Sequence, residues 1–134
     1  MKHKAFVDTN VLIYLYSEDE IKRKIAQNVI KTFYVIINTQ VIGEFVTVLT
    51  KKLGYNKEIA ITEAKRIVKV FEILPIDFDI VKLTFCVFKD YMFSYFDAQI
   101  VASALLSESD ILFSEDMQDG LQVYSKLIIK NPFK

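Results

Sequence analysis

Strand-like and helix-like segments alternate along this chain, and the alternation constrains the fold more than any other feature. Short apolar, β-branched runs predict five strands: Lys4–Asp8, Tyr34–Asn38, Phe71–Pro75, Asp110–Phe113 and Leu127–Ile129. Parallel strands need a crossover connection, and helices supply it. The pattern therefore predicts one α/β domain over residues 1–134, with a central, mostly parallel five-stranded sheet and helices on both faces.

Helical spacing of apolar residues fills the intervals between these strands. Six helices are predicted: Val11–Tyr16, Glu20–Phe33, Thr39–Lys52, Lys57–Val70, Asp79–Tyr91 and Tyr95–Leu106. Thr9 and Asn10 are typical N-cap residues before the first helix, and Gly54 is a typical stop after the third. No repeat or Pro/Ser-rich linker interrupts the pattern, so one domain is sufficient.

The composition excludes several classes of protein. A chain of 134 residues with 52% hydrophobic side chains buries roughly two-thirds of its unfolded surface, so it needs no disulfide or zinc to fold. One cysteine and one histidine, His3, provide neither a disulfide framework nor a two-histidine mechanism. No apolar run reaches the ~18 residues of a membrane span, and the first residues do not resemble a signal peptide. We therefore expect a cytoplasmic protein with no membrane partner.

The charges balance overall but are unevenly distributed. The chain carries 17 basic and 17 acidic residues, yet its first half is net basic and its second half net acidic. Basic clusters occur at residues 22–24, 51–52 and 65–66. Such clusters suit a polyanion such as nucleic acid, and they equally suit solvated helix faces. Sequence reasoning leaves both interpretations open.

Aromatic residues crowd the segment before Asp97. Six lie within twelve residues: Phe85, Phe88, Tyr91, Phe93, Tyr95 and Phe96. We assign most of them to the core, and the remainder to a dimer contact or to stacking on an unpaired base. Cys86 lies in the same apolar stretch, where a thiol is typically a small buried hydrophobe.

Four carboxylates occupy positions where they are predicted to converge. Asp8 ends the first strand, and Asp116 follows the fourth. Glu44 lies at the edge of an apolar helical stripe, and Asp97 opens a helix that is apolar on nearly all sides. Ligand sites in α/β sheets form beyond the carboxyl ends of the strands. We therefore expect these four side chains to meet there.

Each acid also has a purely structural explanation, which remains open at this point. Asp8 is a possible cap for the following helix, and Asp97 fits a variant capping box with Ser94 as the N-cap. Asp116 and Asp119 are common turn residues, and an acid at the edge of a stripe can simply reach solvent.

The electrostatic repulsion within a cluster of four carboxylates must be offset by positive charge. Two unit charges ~4 Å apart repel by roughly 4 kcal/mol at an effective dielectric near 20, so such a cluster indicates a bound cation. Oxygen ligands suit Mg²⁺ or Mn²⁺ better than zinc. Such a metal supports attack of an activated water on a phosphodiester without any histidine.

Four motifs, in order, resemble those of the PIN domain family, and in particular the VapC-like ribonuclease toxins. They are Phe6-Val-Asp-Thr-Asn-Val-Leu-Ile13, Val41-Ile-Gly-Glu-Phe45, Ser94-Tyr-Phe-Asp-Ala98 and Leu112-Phe-Ser-Glu-Asp-Met-Gln-Asp-Gly120. The resemblance implies a single PIN-like domain and four metal ligands that are also the catalytic residues: Asp8, Glu44, Asp97 and Asp116. It implies supporting roles for Thr9, Asn10, Ser114 and Asp119. It further implies an RNA substrate, a cognate antitoxin and a homodimer.

The leading hypothesis is therefore a Mg²⁺- or Mn²⁺-dependent endoribonuclease that is the toxin of a toxin–antitoxin pair. One alternative is a catalytically silent PIN-like module that binds RNA or protein, and another is a PIN nuclease in RNA processing. A phosphatase or receiver-like domain built on Asp8 is a third. Asn10 argues against the phosphatase, which expects a second aspartate at that position.

Overall fold

The computed structural model describes residues 2–134. Its elements, in chain order, are β1 (Lys4–Val7), α1 (Thr9–Ile13), a 3₁₀ turn (Tyr14–Tyr16), α2 (Glu20–Thr32), β2 (Tyr34–Asn38), α3 (Thr39–Lys51), α4 (Lys57–Val70), β3 (Glu72–Leu74), α5 (Phe78–Asp90), α6 (Tyr95–Leu106), β4 (Ile111–Phe113), β5 (Gln122–Val123) and β6 (Leu127–Lys130). The five predicted strands and the other five predicted helices are confirmed. The predicted helix Val11–Tyr16 is instead α1 followed by the 3₁₀ turn. Thr9 and Asn10 lie in the first turn of α1 and are not its N-cap, because the side chain of Asp8 takes that role. The predicted start of the domain at Met1 lies outside the described residues.

The sheet has six strands, in the order β3-β2-β1-β4-β6-β5, so the predicted number of five was wrong. All pairs are parallel except that of β5 with β6. β5 has only two residues, too few to show the alternation that indicates a strand. The turn to β6 takes Tyr124 and Ser125 through positive φ, at 50° and 57°. Glycine or asparagine normally marks such a turn, and neither occurs here.

The strand order contains a switch point between β1 and β4. The chain moves outward from β1 through β2 to β3, then returns to place β4 on the opposite side of β1. Because crossovers of this kind are right-handed, the two directions place their helices on opposite faces of the sheet. A crevice opens where the carboxyl ends of the two central strands diverge. Asp8 and Ser114 follow those ends directly.

The core lies between the central strands and their helices. In β1, Ala5, Phe6 and Val7 are fully buried. Residues 98–104 of α6 are buried without interruption, as the small, apolar sequence of that helix predicts. Burying each large apolar side chain contributes about 1.5–3 kcal/mol. Among residues 2–134, no helix has the length and apolar character needed to cross a membrane.

The assignment of most aromatics before Asp97 to the core was wrong. Phe85, Phe88 and Phe96 are exposed, and the remaining three are half-buried. Cys86 is exposed as well, contrary to its interpretation as a buried hydrophobe. The buried residues of α5 are spaced four and three apart, at Ile80, Thr84 and Val87. Phe85, Cys86 and Phe88 fall outside that stripe, so the helix turns them away from the core.

Candidate metal centre

Asp8 lies at the centre of the crevice and is 7% exposed. Its Oδ1 accepts the Thr9 backbone N–H at 2.8 Å, so Asp8 caps α1, as the structural explanation held. Its Oδ2 accepts the hydroxyl of Ser114 at 2.8 Å. The capping role occupies one lone-pair direction of one oxygen. A carboxylate has about four such directions, so capping leaves Asp8 able to bind a cation.

Glu44 reaches the same place from α3. Asn38 positions that helix, because its side chain accepts the Val41 backbone N–H at 2.9 Å as the N-cap. The Glu44 side chain is exposed, yet both of its oxygens are engaged. Oε1 accepts the Thr9 hydroxyl at 2.7 Å, and Oε2 accepts the Gln40 amide at 3.3 Å. Thr9 therefore ties α3 to the segment that carries Asp8.

Asp97 projects from the first turn of α6. The hydroxyl of Ser94 accepts the Asp97 backbone N–H at 3.2 Å, so the predicted N-cap forms. The N-cap uses only the backbone N–H of Asp97. The carboxylate of Asp97 is therefore still available to bind a cation.

Asp116 lies in the loop after β4, and Asn10 holds that loop in two places. The Asn10 amide donates to Oδ2 of Asp116 at 3.1 Å. Its carbonyl oxygen accepts the Glu115 backbone N–H, also at 3.1 Å. Asn10 thus connects the start of α1 to the fourth carboxylate, as expected of a residue that orients a ligand.

All four predicted acids line one cavity of about 680 Å³, together with Thr9 and Asn10. Ser114 is fully buried beneath it and contacts the site through Asp8. Asp119 does not line the cavity. Its carboxylate accepts the Asn131 backbone N–H at 2.8 Å, which anchors the C-terminal segment. The structure thus brings seven of the eight predicted site residues together.

The electrostatics of the cavity show that the acids act on one another. Burial raises the pKa of Asp8 from 3.8 to about 6; hydrogen bonds from Ser114 and Thr9 oppose the rise, and the charges of Glu44 and Asp97 add to it. Burial also raises the pKa of Asp97, with further contributions from Asp116 and Glu44. A buried carboxylate with acidic neighbours is one whose ionised form a cation stabilises.

The donor set fits a hard divalent cation. Every candidate ligand is a carboxylate oxygen, and oxygen is what Mg²⁺ and Mn²⁺ prefer. Within residues 2–134, no three acidic, histidine or cysteine side chains are gathered tightly enough to enclose an ion as they stand. The four acids therefore line a shared cavity without forming a coordination shell as they stand.

Sequence reasoning missed a second network beside the cavity. The Tyr14 hydroxyl donates to Glu115 Oε1 at 2.6 Å, and Lys22 Nζ lies 3.0 Å from both Tyr14 Oη and Glu115 Oε2. Lys22 also lies 4.7 Å from the centre of the Tyr14 ring. One residue of the basic cluster at 22–24, Lys22, is therefore bound within the protein by Tyr14 and Glu115. No local pattern indicates this, because Lys22 and Glu115 are 93 residues apart.

Fold and site together define an α/β domain with an acidic crevice at the switch point of a parallel sheet. The family model of the PIN domain matches residues 5–120, and the chain belongs to the PIN domain family. A search of curated proteins found no match to the chain.

Several solved structures share the fold. A toxin–antitoxin complex from Klebsiella pneumoniae contains a chain with 22% identity and a TM-score of 0.74, covering 96% of this chain and 97% of that one. VapC20 of Mycobacterium tuberculosis, a sarcin–ricin loop cleaving toxin, has 20% identity and a TM-score of 0.68 over 84% of this chain and 91% of its own. VapBC2 of Rickettsia felis, bound to a promoter DNA fragment, has 15% identity and a TM-score of 0.70, with coverages of 96% and 98%. At these identities the likeness shows the fold.

Proposed function

We propose that this protein is a divalent-metal-dependent endoribonuclease that hydrolyses RNA phosphodiesters. One observation carries the proposal: carboxylates from four separate segments of the chain line a single cavity at the carboxyl ends of β1 and β4. A purely structural role does not require four acids to share one space, since their mutual repulsion is unfavourable. Membership of the PIN domain family supports the same conclusion.

The roles of the residues follow from their positions. Asp8 and Asp97 would hold Mg²⁺ or Mn²⁺ directly, and Glu44 and Asp116 would complete the site. A divalent cation, when bound, supplies Lewis-acid chemistry: it activates water and stabilises negative charge at a phosphate.

The supporting residues act by orienting the carboxylates. Thr9 holds Glu44, Asn10 holds Asp116, and Ser114 holds Asp8, each by a hydrogen bond of 2.7–3.1 Å. Such partners fix the direction of the oxygen lone pairs and so set the affinity of a metal site. Asp119, which anchors Asn131, would stabilise the loop that carries Asp116.

We further propose that the protein is the toxin of a toxin–antitoxin pair, acts as a homodimer in the cytoplasm, and has a cognate antitoxin. The structural similarity to a chain in the Klebsiella toxin–antitoxin complex supports the antitoxin. The similarity to VapC20, described as cleaving the sarcin–ricin loop, supports RNA as the substrate.

The test is cleavage of an RNA panel by purified, antitoxin-free protein in Mg²⁺, in Mn²⁺ and in EDTA. We expect cleavage with metal, none in EDTA, and none by Asp97→Asn. Asp79→Asn is the matched control, because Asp79 is an exposed first-turn aspartate on α5, away from the cavity. It should cleave like the parent protein. If folded protein cuts no RNA with either metal, the nuclease proposal fails; retained RNA binding would then favour the binding module.

A further inference from the structure

One wall of the cavity is formed by α3 and the residue that ends it. Four residues of the helix line this wall: Gly43, Glu44, Thr47 and Val48. Lys52 lines its far end. Glu44 and Lys52 are eight residues apart, which places them about 12 Å apart along the helix axis at 1.5 Å per residue. The cavity therefore has an acidic end at the switch point and a basic residue at the other end.

Lys52 is the one basic side chain that lines this cavity in the part of the chain that the structure describes. It is exposed, and no ion pair within residues 2–134 includes it. Lys22, in contrast, is held by Tyr14 and Glu115 and does not line the cavity. The ammonium of Lys52 is thus available to a ligand in the cavity.

The backbone beneath Lys52 is well anchored. The N–H groups of Lys52 and Leu53 both donate to the carbonyl of Val48, at 2.9 and 3.1 Å. Gly54 then adopts a φ of +74°, the left-handed conformation that ends many helices. The side chain projects from a fixed point, which favours a specific contact over a diffuse surface charge.

We propose that Lys52 binds a backbone phosphate of the RNA strand, a few nucleotides from the phosphate that lies at the carboxylates. This inference rests on the proposed function and deepens it, because it assigns a substrate contact at the same site. A lysine ammonium is a compact charge that suits a phosphate oxygen. It would offset the repulsion between the strand and the acidic end, and it would fix the direction in which the strand crosses the cavity.

The experiment measures binding and cleavage separately. A fluorescently labelled single-stranded RNA is titrated with Asp97→Asn protein in Mg²⁺ over a range of salt concentrations, and the Kd is obtained from anisotropy. Lys52→Ala and Lys51→Ala are compared in that background. Lys51 is the matched control, because it is the neighbouring exposed lysine of α3 and does not line the cavity.

We expect Lys52→Ala to weaken binding about fivefold and to reduce the slope of log K against log salt by about 0.7, the value for one phosphate contact on a single strand. Lys51→Ala should leave both quantities nearly unchanged, and Lys52→Arg should retain binding. In the catalytically intact protein, Lys52→Ala should raise KM and leave kcat within about twofold, as loss of uniform binding does.

The inference is overturned if Lys52→Ala leaves the Kd unchanged, if Lys51→Ala weakens binding equally, or if the Asp97→Asn protein binds no RNA. Cleavage by the parent protein together with any of these results overturns this inference alone. A Lys52-specific loss of binding in a protein that never cleaves supports the phosphate contact and overturns the nuclease proposal.

Discussion

The hydroxyl of Ser114 donates a 2.8 Å hydrogen bond to Oδ2 of Asp8, so the residues that follow the two central strands are joined directly. The pairing of Val7 with Phe113, one residue earlier on each strand, brings them together. The Asp8 backbone N–H extends this ladder by donating to the Phe113 carbonyl at 2.9 Å. The register of β1 against β4 therefore determines the position of Asp8, the most buried carboxylate in the site.

Removing this hydroxyl should weaken cation binding. Ser114→Ala takes away a hydrogen bond that favours the ionised form of Asp8, so the pKa of Asp8 should rise further. We expect Mn²⁺ affinity, measured by calorimetry, to fall about 10- to 100-fold. Ser109→Ala is the control, because Ser109 is also buried but bonds to Ser107, before β4 begins. Unchanged Mn²⁺ affinity in Ser114→Ala would contradict the orienting role.

Asp8→Asn should stabilise the metal-free protein at neutral pH. The pKa of Asp8 is raised to about 6, mainly by burial, so the folded state holds its proton more tightly than the unfolded state. The carboxyl group of Asp8 therefore makes its full contribution to the free energy of unfolding below the unfolded pKa of 3.8. This contribution is lost as the pH rises through about 6. A shift of this size corresponds to at most about 3 kcal/mol at neutral pH.

Urea denaturation in EDTA measures the effect. At about pH 7.5 we expect the free energy of unfolding of Asp8→Asn to exceed that of the parent by about 1–3 kcal/mol, and near pH 4 the gain should vanish. Asp79→Asn, at an exposed position, should not exceed the parent in stability at about pH 7.5. Equal or lower stability of Asp8→Asn at neutral pH would show that the buried charge is not destabilising.

The network of Tyr14, Lys22 and Glu115 should support activity by positioning the loop that carries Asp116. Glu115→Gln keeps the shape of the side chain but removes the charge that pairs with Lys22. We expect cleavage and Mn²⁺ affinity each to fall about tenfold, at the lower end of the effect of such supporting contacts. Glu58→Gln, at an exposed site on α4, should leave both unchanged. Activity within about twofold of the parent would show that the loop keeps its position without this network.

Asn38 should be a major contributor to stability, because it joins α3 to α6. Its carbonyl oxygen caps α3, and its amide donates to the Ser103 hydroxyl at 2.9 Å in the core. We expect Asn38→Ala to lower the free energy of unfolding by about 2–4 kcal/mol. Asn56→Ala removes an exposed cap from α4 and should cost about 1 kcal/mol. Equal losses in urea denaturation would mean that the buried amide contributes nothing.

Local sequence was sufficient to locate the helices. Lys57–Val70 and Tyr95–Leu106 begin and end at the predicted residues, because capping groups and apolar spacing act within a few turns. β5 was missed, since its two residues owe their conformation to pairing with β6. The exposed aromatics of α5 were misassigned because composition does not tell which residues of a helix lie on its buried side.

The sequence by itself also identified most of the candidate site. Strand ends, helix starts and apolar helical stripes are local features, so Asp8, Glu44, Asp97 and Asp116 could be singled out without coordinates. The tertiary structure decided the strand order, the cavity that the four acids share, the contact between Lys22 and Glu115, and the position of Lys52. Periodicity reflects interactions between near neighbours in the chain. Contacts across a hundred residues depend on which strands pair and on the hand of the crossovers, and those follow from the packing of the whole domain.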